Sequence, residues 1–183
     1  MKDNKGLSLI ELIVVIAIMA VMGGFIFISF GLLTGQDARE CASNLSTALD
    51  KEKNYALTRS GETDCYVEIT HTAEGYLADY QVPAKAVEEH SPMVTIEEEN
   101  IGHPTVNVTC YYDDGGGSPT FVDDLNDNND VLRITYNRVT GAVKEIKLNG
   151  DAKTINLIKI DKGREYEIVL YTATGKHTLE RTD

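Results

Sequence analysis

The chain of 183 residues has no tryptophan, 4 prolines and 3 cysteines. The cysteines form no C-x-x-C pair and have no histidine at ligand spacing, which argues against a zinc site. Basic residues are also scarce, since 17 Lys and Arg stand against 29 Asp and Glu and give a net charge of −12. This balance excludes nucleic acid and anionic lipid headgroups as expected partners of the polar part of the chain.

The sequence also lacks the motifs of the common enzyme classes. It contains no serine nucleophile elbow, zinc-protease helix motif, phosphate-binding loop or dinucleotide fingerprint. The four histidines are scattered, and we expect them in ordinary surface positions: His71, His90, His103 and His177. We therefore predict that the protein is not an enzyme and has no organic cofactor.

What the sequence does have is a long apolar run near its N-terminus. From Leu12 to Gly35, 24 residues pass without a charged side chain. As a helix this run spans roughly 36 Å, which is enough to cross a hydrocarbon core of about 30 Å. It is longer than the apolar core of a cleaved secretory signal, and no A-x-A cleavage site appears before the polar residues that begin at Gln36. Lys2 and Lys5 precede it, so we predict a single membrane pass with the N-terminus in the cytoplasm.

Two residues before this run are unexplained by a plain membrane anchor. Glu11 places an acid within apolar sequence, where an ionised side chain costs at least about 2.5–3.5 kcal/mol. Gly6 directly precedes the first apolar residue, Leu7, in the stretch KGLSLIELIVVIAI. This stretch resembles the N-terminal motif of bacterial type IV pilins and pseudopilins. The resemblance covers only the start of the chain, and Leu7 stands where the family most often has Phe.

The resemblance implies a processing site and an assembly residue. Residues 1–6 would be a leader, which a prepilin peptidase removes between Gly6 and Leu7 before it methylates the new amine of Leu7. Glu11 would then pair with the charged amine of a neighbouring subunit, because each group is costly in lipid alone and tolerable when paired. The expected partners are the peptidase, other pilin subunits, the assembly machinery and, before assembly, membrane lipid.

The resemblance therefore predicts a structural subunit of a type IV pilus or of a related secretion or DNA-uptake filament. A major pilin, a minor pilin and a pseudopilin all stay open, and the irregular acidic head favours a minor subunit. It would lie first in the cytoplasmic membrane and then in an extracellular or extracytoplasmic filament. The alternative is a single-pass membrane protein whose acidic extracytoplasmic head binds a cation or a basic ligand. That alternative gives Glu11 no role.

The helical pattern continues beyond the predicted membrane segment, residues 7–35. In residues 36–60, apolar side chains recur at three-and-four spacing, which is typical of an amphipathic helix packed on a globular part. Glu52 falls on this stripe, and we interpret it as a residue at the margin of the buried face. Gly61 is placed to end the helix. The stripe consists of Ala38, Cys41, Ala42, Leu45, Leu49 and Ala56.

Residues 61–183, the predicted β-rich globular head, change to the period of two that is typical of strands. Strand patterns start at Cys65, Tyr76, Met93, Thr105, Val131, Ala142, Ile155 and Tyr166, with short turn sequences between most of them. The C-terminal gaps are too short for crossover helices, so we predict one antiparallel meander covered on one face by the amphipathic helix. The fold class is α+β, with a long N-terminal helix packed on an antiparallel sheet.

Residues 85–130 are less regular and hold eleven Asp or Glu, with Lys85 as their only Lys or Arg. Oxygen-bearing side chains at alternate positions suit calcium, although the segment lacks the glycine and the last acid of an EF-hand loop. A solvated loop is the favoured interpretation. The candidate calcium ligands are Asp124, Asn126, Asn128 and Asp130.

The cysteines leave two interpretations open. In the first interpretation, all three cysteines are reduced and packed thiols. The other is a single disulfide, for which Cys65 and Cys110 are the easier pair, because Cys41 lies in the predicted helix.

Overall fold

The computed structural model describes residues 9–59, 64–83, 92–112, 121–127 and 130–182, apart from the side chains of 23–34 and 121–122. Helix α1 runs Leu9–Thr58. Its second half buries one face against the strands, and the predicted apolar stripe is confirmed. All of the predicted members are buried: Ala38, Cys41, Ala42, Leu45, Leu49 and Ala56.

Eleven strands follow α1 in the described residues, and every pairing among them is antiparallel. The α+β class is therefore confirmed. Sequence patterns predicted most of these strands, but β5, β8, β11 and the second half of β3 were missed. The strands are β1 (Tyr66–Thr72), β2 (Gly75–Pro83), β3 (Met93–Gly102), β4 (Asn107–Tyr112), β5 (Phe121–Asp124), β6 (Val131–Tyr136), β7 (Val143–Leu148), β8 (Asp151–Ala152), β9 (Ile155–Asp161), β10 (Glu165–Tyr171) and β11 (Lys176–Thr182).

The strands form two sheets. Sheet A has the order β3-β2-β1-β6-β7-β8, and sheet B has the order β11-β10-β9-β4-β5. Alternate residues of the central strands are buried, as in β1 and β10. Helix α1 packs against strands of both sheets. The buried faces of both sheets and of α1 share one apolar core.

The predicted single C-terminal meander is wrong. Strands β6 and β7 pair as expected, and so do β9 and β10, but β9 pairs on its other side with β4 rather than with β7. The chain turns back after β7 through Asn149 and Gly150, both with positive φ, and then crosses to sheet B after β8. Two sheets facing a common core bury more apolar surface than one wide sheet covered by a single helix.

Strand β3 continues through three consecutive glutamates, which the sequence pattern did not predict. Lys51 of α1 contacts two of them, with its Nζ 2.7 Å from Glu97 and 3.2 Å from Glu99. The same ammonium lies 4.4 Å from the centre of the Tyr80 ring. Because β3 is an edge strand, its exposed acids remain hydrated while these contacts hold it on the helix.

A buried hydroxyl links the two sheets. The Tyr76 hydroxyl of β2 lies 2.9 Å from the carbonyl oxygen of Val106 and 2.9 Å from Oδ1 of Asn126. Oδ1 of Asn126 also accepts a bond from the backbone N–H of Val108 in β4. A polar group at this depth is tolerated because it has hydrogen-bonding partners.

Gly75 provides a test of how closely the β1–β2 turn approaches β3. Its φ is 131°, and a Cβ there would lie 2.0 Å from the carbonyl oxygen of Gly102. Gly150 has a φ of 91° but open space around it. We expect Gly75→Ala to lower the free energy of unfolding by roughly 2–5 kcal/mol and Gly150→Ala by only about 1–2 kcal/mol. Denaturant titration of the two variants measures both values, and equal losses would contradict the close approach.

Candidate functional site

The N-terminal candidate residues lie at the start of α1. Glu11 is exposed in the first turn of the helix. A carboxylate at this position faces the positive end of the helix dipole. Gly6 and Leu7 lie outside the described residues, and so does the rest of the predicted leader, residues 1–6.

Apolar side chains surround Glu11 on the helix surface. From Leu9 to Met22, every side chain is exposed, and nearly all of them are apolar. An exposed apolar surface of this size is typical of an interaction surface for lipid or protein. Within the part of α1 whose side chains are described, no segment is long and apolar enough to span a bilayer.

A comparison with family models decides what this N-terminus is. The family model of the prokaryotic N-terminal methylation motif matches residues 1–27. The chain carries a prepilin-type N-terminus. This prepilin-type motif contains Gly6, Leu7 and Glu11, whose individual roles stay predictions. Neither the curated proteins nor the solved structures contain a match to the chain.

The prepilin-type motif is the cleavage and methylation motif of type IV pilins and pseudopilins. It implies processing by a prepilin peptidase and assembly with other pilin-type subunits. It is also consistent with a membrane-anchored protein that becomes part of a pilus. The motif therefore supports a pilin-like or pseudopilin subunit, which points to a structural protein rather than to an enzyme.

A second notable residue lies at the other end of α1. The prediction that Glu52 lies at the margin of the buried face is wrong, because its exposed fraction is 0%. Among the described residues, neither of its carboxyl oxygens has a hydrogen-bond partner. Loss of hydration raises the pKa of Glu52 to about 8, although the positive charge of Arg59 lowers it in part. Glu52 is therefore predominantly neutral at pH 7.

Sequence reasoning placed Glu52 on the correct stripe but not at the correct depth. Strands from distant parts of the chain enclose it, with Cys65 before β1, Tyr80 in β2 and Tyr136 in β6 all within electrostatic range. Burial raises the pKa of Cys65 to about 11, and the nearby Glu52 carboxyl adds to the increase. The sequence signal for the depth of Glu52 was its position on the apolar stripe between Leu49 and Ala56. The structure buries both of these residues fully.

The fold brings together three side chains whose order resembles a nucleophilic triad, namely Ser46, His177 and Asp50. Ser46 Oγ lies 2.8 Å from His177 Nε2, and His177 Nδ1 lies 3.9 Å from Oδ1 of Asp50. However, the His177 side chain is only 6% exposed, and the backbone N–H groups beside Ser46 are used within α1. Without substrate access or an oxyanion donor, the arrangement joins β11 to the helix and does not support catalysis.

The predicted surface role of the histidines is also wrong for His71. It lies in β1 with an exposed fraction of 9%, and its ring packs on Tyr76 with 4.8 Å between ring centres. Its Nε2 lies 3.3 Å from the carbonyl oxygen of Pro104. His103 does lie at an exposed turn, where Nδ1 contacts Thr105, and His90 falls outside the described residues.

The possible disulfide between Cys65 and Cys110 is not formed. All three cysteines are free and buried. Cys65 precedes β1 of sheet A, whereas Cys110 lies on β4 of sheet B. Burial raises the pKa of each thiol, to about 12 for Cys41 and about 11 for Cys65. Thiols that resist ionisation in this way are poor nucleophiles.

The candidate calcium ligands of the acidic segment contact different partners. Asp124 lies in β5 and accepts a bond from the Thr109 hydroxyl at 2.8 Å. Asn126 turns inward to Tyr76, and Asp130 accepts a bond from Asn149 at 2.9 Å. Asn128 lies outside the described residues, so calcium binding stays a prediction. Among the residues that are described, no cluster of three His, Cys, Asp or Glu could hold a metal ion.

Proposed function

We propose that this protein is a minor pilin or pseudopilin, a structural subunit of a type IV pilus or of a related secretion or DNA-uptake filament. The observation that carries the proposal is the match of residues 1–27 to the prokaryotic N-terminal methylation motif. Before assembly, residues 7–35 anchor the subunit in the cytoplasmic membrane. After assembly, the same helix packs against those of other subunits.

The exposed apolar side chains from Leu9 to Met22 support this assignment. In water such a surface would be costly, at roughly 25 cal/mol for each Å² left exposed. Burial among neighbouring helices removes that cost, but apolar contacts alone do not fix the axial position of one helix against the next. The carboxylate of Glu11 and the amine of Leu7 supply that register when they pair between subunits.

The head has a different role. The second half of α1 is buried against both sheets, so the head and this half of the helix form one unit with a shared core. The assembled filament then carries the heads on its outside while the apolar halves of the helices form its centre. The predominantly acidic surface of the head keeps it soluble in this position.

The mature N-terminus tests the proposal. We expect intact mass and N-terminal peptide analysis of the protein from its native membrane to find Leu7 as the first residue, with one added methyl group. A Gly6→Val variant should keep Met1, because the bulky side chain obstructs the peptidase at the scissile bond. A wild-type protein that keeps residues 1–6 in its working form contradicts the proposal and supports the plain membrane-anchored binding protein.

A further inference from the structure

Glu52 occupies a place in the core where a carboxyl group has no evident structural use. It lies less than two turns before the end of α1 at Thr58, and its exposed fraction is 0%. Within the part of the chain that the structure describes, both carboxyl oxygens lack a hydrogen-bond partner, so the side chain contributes no hydrogen bond to the head. An apolar residue of similar size would fill this position at lower cost.

The other titratable groups around Glu52 come from four parts of the chain. Arg59 follows the helix, Cys65 precedes β1, Tyr80 lies on β2 and Tyr136 on β6. Arg138, after β6, faces Cys65, and Asp50, largely exposed, faces Tyr136.

Among Glu52 and these neighbouring groups, Glu52 is the one that changes charge near neutral pH. Burial raises the pKa of Cys65, Tyr80 and Tyr136, so that all three stay neutral up to about pH 9. Arginine keeps its charge at every pH that a protein meets. Arg59 is exposed and makes no hydrogen bond to the Glu52 carboxyl oxygens, so it does not neutralise them in the closed structure.

We propose that Glu52 is a proton-controlled latch between the end of α1 and the head. Neutral Glu52 is accommodated in the core and keeps residues 50–58 docked. When this end of the helix opens, water hydrates the carboxyl group, which then loses its proton. Opening is therefore coupled to proton release and becomes more frequent as the pH rises.

The opening is expected to be local because the rest of the stripe is apolar. From Ala38 to Leu49 the buried residues of α1 carry no carboxyl group. The end of the helix also makes polar contacts with the head: Lys53 Nζ donates to the carbonyl oxygens of Thr174 at 3.2 Å and Gly175 at 3.0 Å. Leu57 beside it is 45% exposed, so apolar burial of the last turn comes from Ala56 and, in part, from Tyr55.

These contacts also indicate what the latch controls. Lys53 binds the β10–β11 turn, and Leu57 lies against Gly141 in the β6–β7 turn. Opening of residues 50–58 frees both turns at the same end of the head. This regulation is independent of the proposed filament role, because it concerns only how the helix is docked on its own head.

Hydrogen exchange of the full chain in detergent micelles tests the latch between pH 5 and 9. At each pH, the intrinsic exchange rate of each amide is divided by its measured rate to give the protection factor. In the wild type, we expect protection of amides 50–58 to fall by up to about tenfold per pH unit between pH 5 and 8 and then to level off. Protection of amides 40–48 should change much less and serves as the internal reference.

Two variants and one control make the experiment decisive. Glu52→Gln and Glu52→Leu remove the titrating group, and both should give protection of amides 50–58 that does not depend on pH. Glu40→Gln removes an exposed acid of the same helix and should behave as the wild type does. The latch is refuted if the pH dependence persists in both Glu52 variants, or if wild-type amides 40–48 and 50–58 lose protection in parallel.

Discussion

Replacing Glu11 by Ala should abolish incorporation of this subunit into filaments while leaving its processing intact. In the assembled state, the amine of Leu7 in one subunit would lie in an apolar environment beside helices of its neighbours. With no carboxylate to meet it, that amine is a buried charge without a partner, which costs about 3–5 kcal/mol. A cost of about 3 kcal/mol lowers the equilibrium constant for assembly roughly a hundredfold.

Filaments sheared from cells, quantified against the membrane-bound pool, give the measurement. Glu11→Gln should fail as Glu11→Ala does, because it keeps the size but loses the charge. Glu11→Asp should retain part of the activity, since the charge remains on a shorter side chain. Glu40→Ala is the matched control, because Glu40 is an exposed acid of the same helix beyond its apolar part, and it should assemble normally.

The N-terminus of the variant identifies which step has failed. If Glu11→Ala accumulates with Leu7 as its first residue, processing is intact and the loss lies in assembly. Normal filament yields from Glu11→Ala and Glu11→Gln would show that the carboxylate is not needed. That result would favour the alternative function, a membrane-anchored binding protein.

Replacing Glu52 by Gln should stabilise the protein, and the gain should grow with pH. The folded-state pKa of Glu52 is raised to about 8 from an ordinary value of 4.5 because burial removes its hydration. The unfolded chain therefore releases this proton more readily than the folded chain does, and folded stability falls as the pH rises from about 4.5 to 8. The neutral amide of Gln does not take part in this equilibrium.

The expected difference in unfolding free energy between Glu52→Gln and the wild type is close to zero at pH 4. It should rise to roughly 3–5 kcal/mol at pH 8 and above. Urea titrations of both proteins across this pH range provide the values, and the subtraction cancels every other group that titrates. A constant difference at all pH values would show that Glu52 is hydrated or paired in the folded protein.

The local elements of this protein were largely predictable from the sequence. The buried stripe from Ala38 to Ala56 follows from its three-and-four spacing, and the central strands follow from alternation of apolar and polar residues. The predictions from sequence failed where the local pattern and the tertiary contacts favour different structures. Strand β3 passes through Glu97, Glu98 and Glu99 because pairing with β2 and contact with Lys51 outweigh the weak strand preference of glutamate.

By itself, the sequence determined the prepilin-type N-terminus, because that motif is a set of neighbouring residues whose chemistry needs no folded context. It also determined that an amphipathic helix precedes an antiparallel β-rich head, since periodicity is a local property of the chain. Only the tertiary structure decided that the strands divide between two sheets, that Cys65 and Cys110 stay apart, and that Glu52 is fully enclosed. Each of these depends on how distant segments share one core, and apolar burial is set by all the surfaces that meet at a position rather than by the segment that carries it.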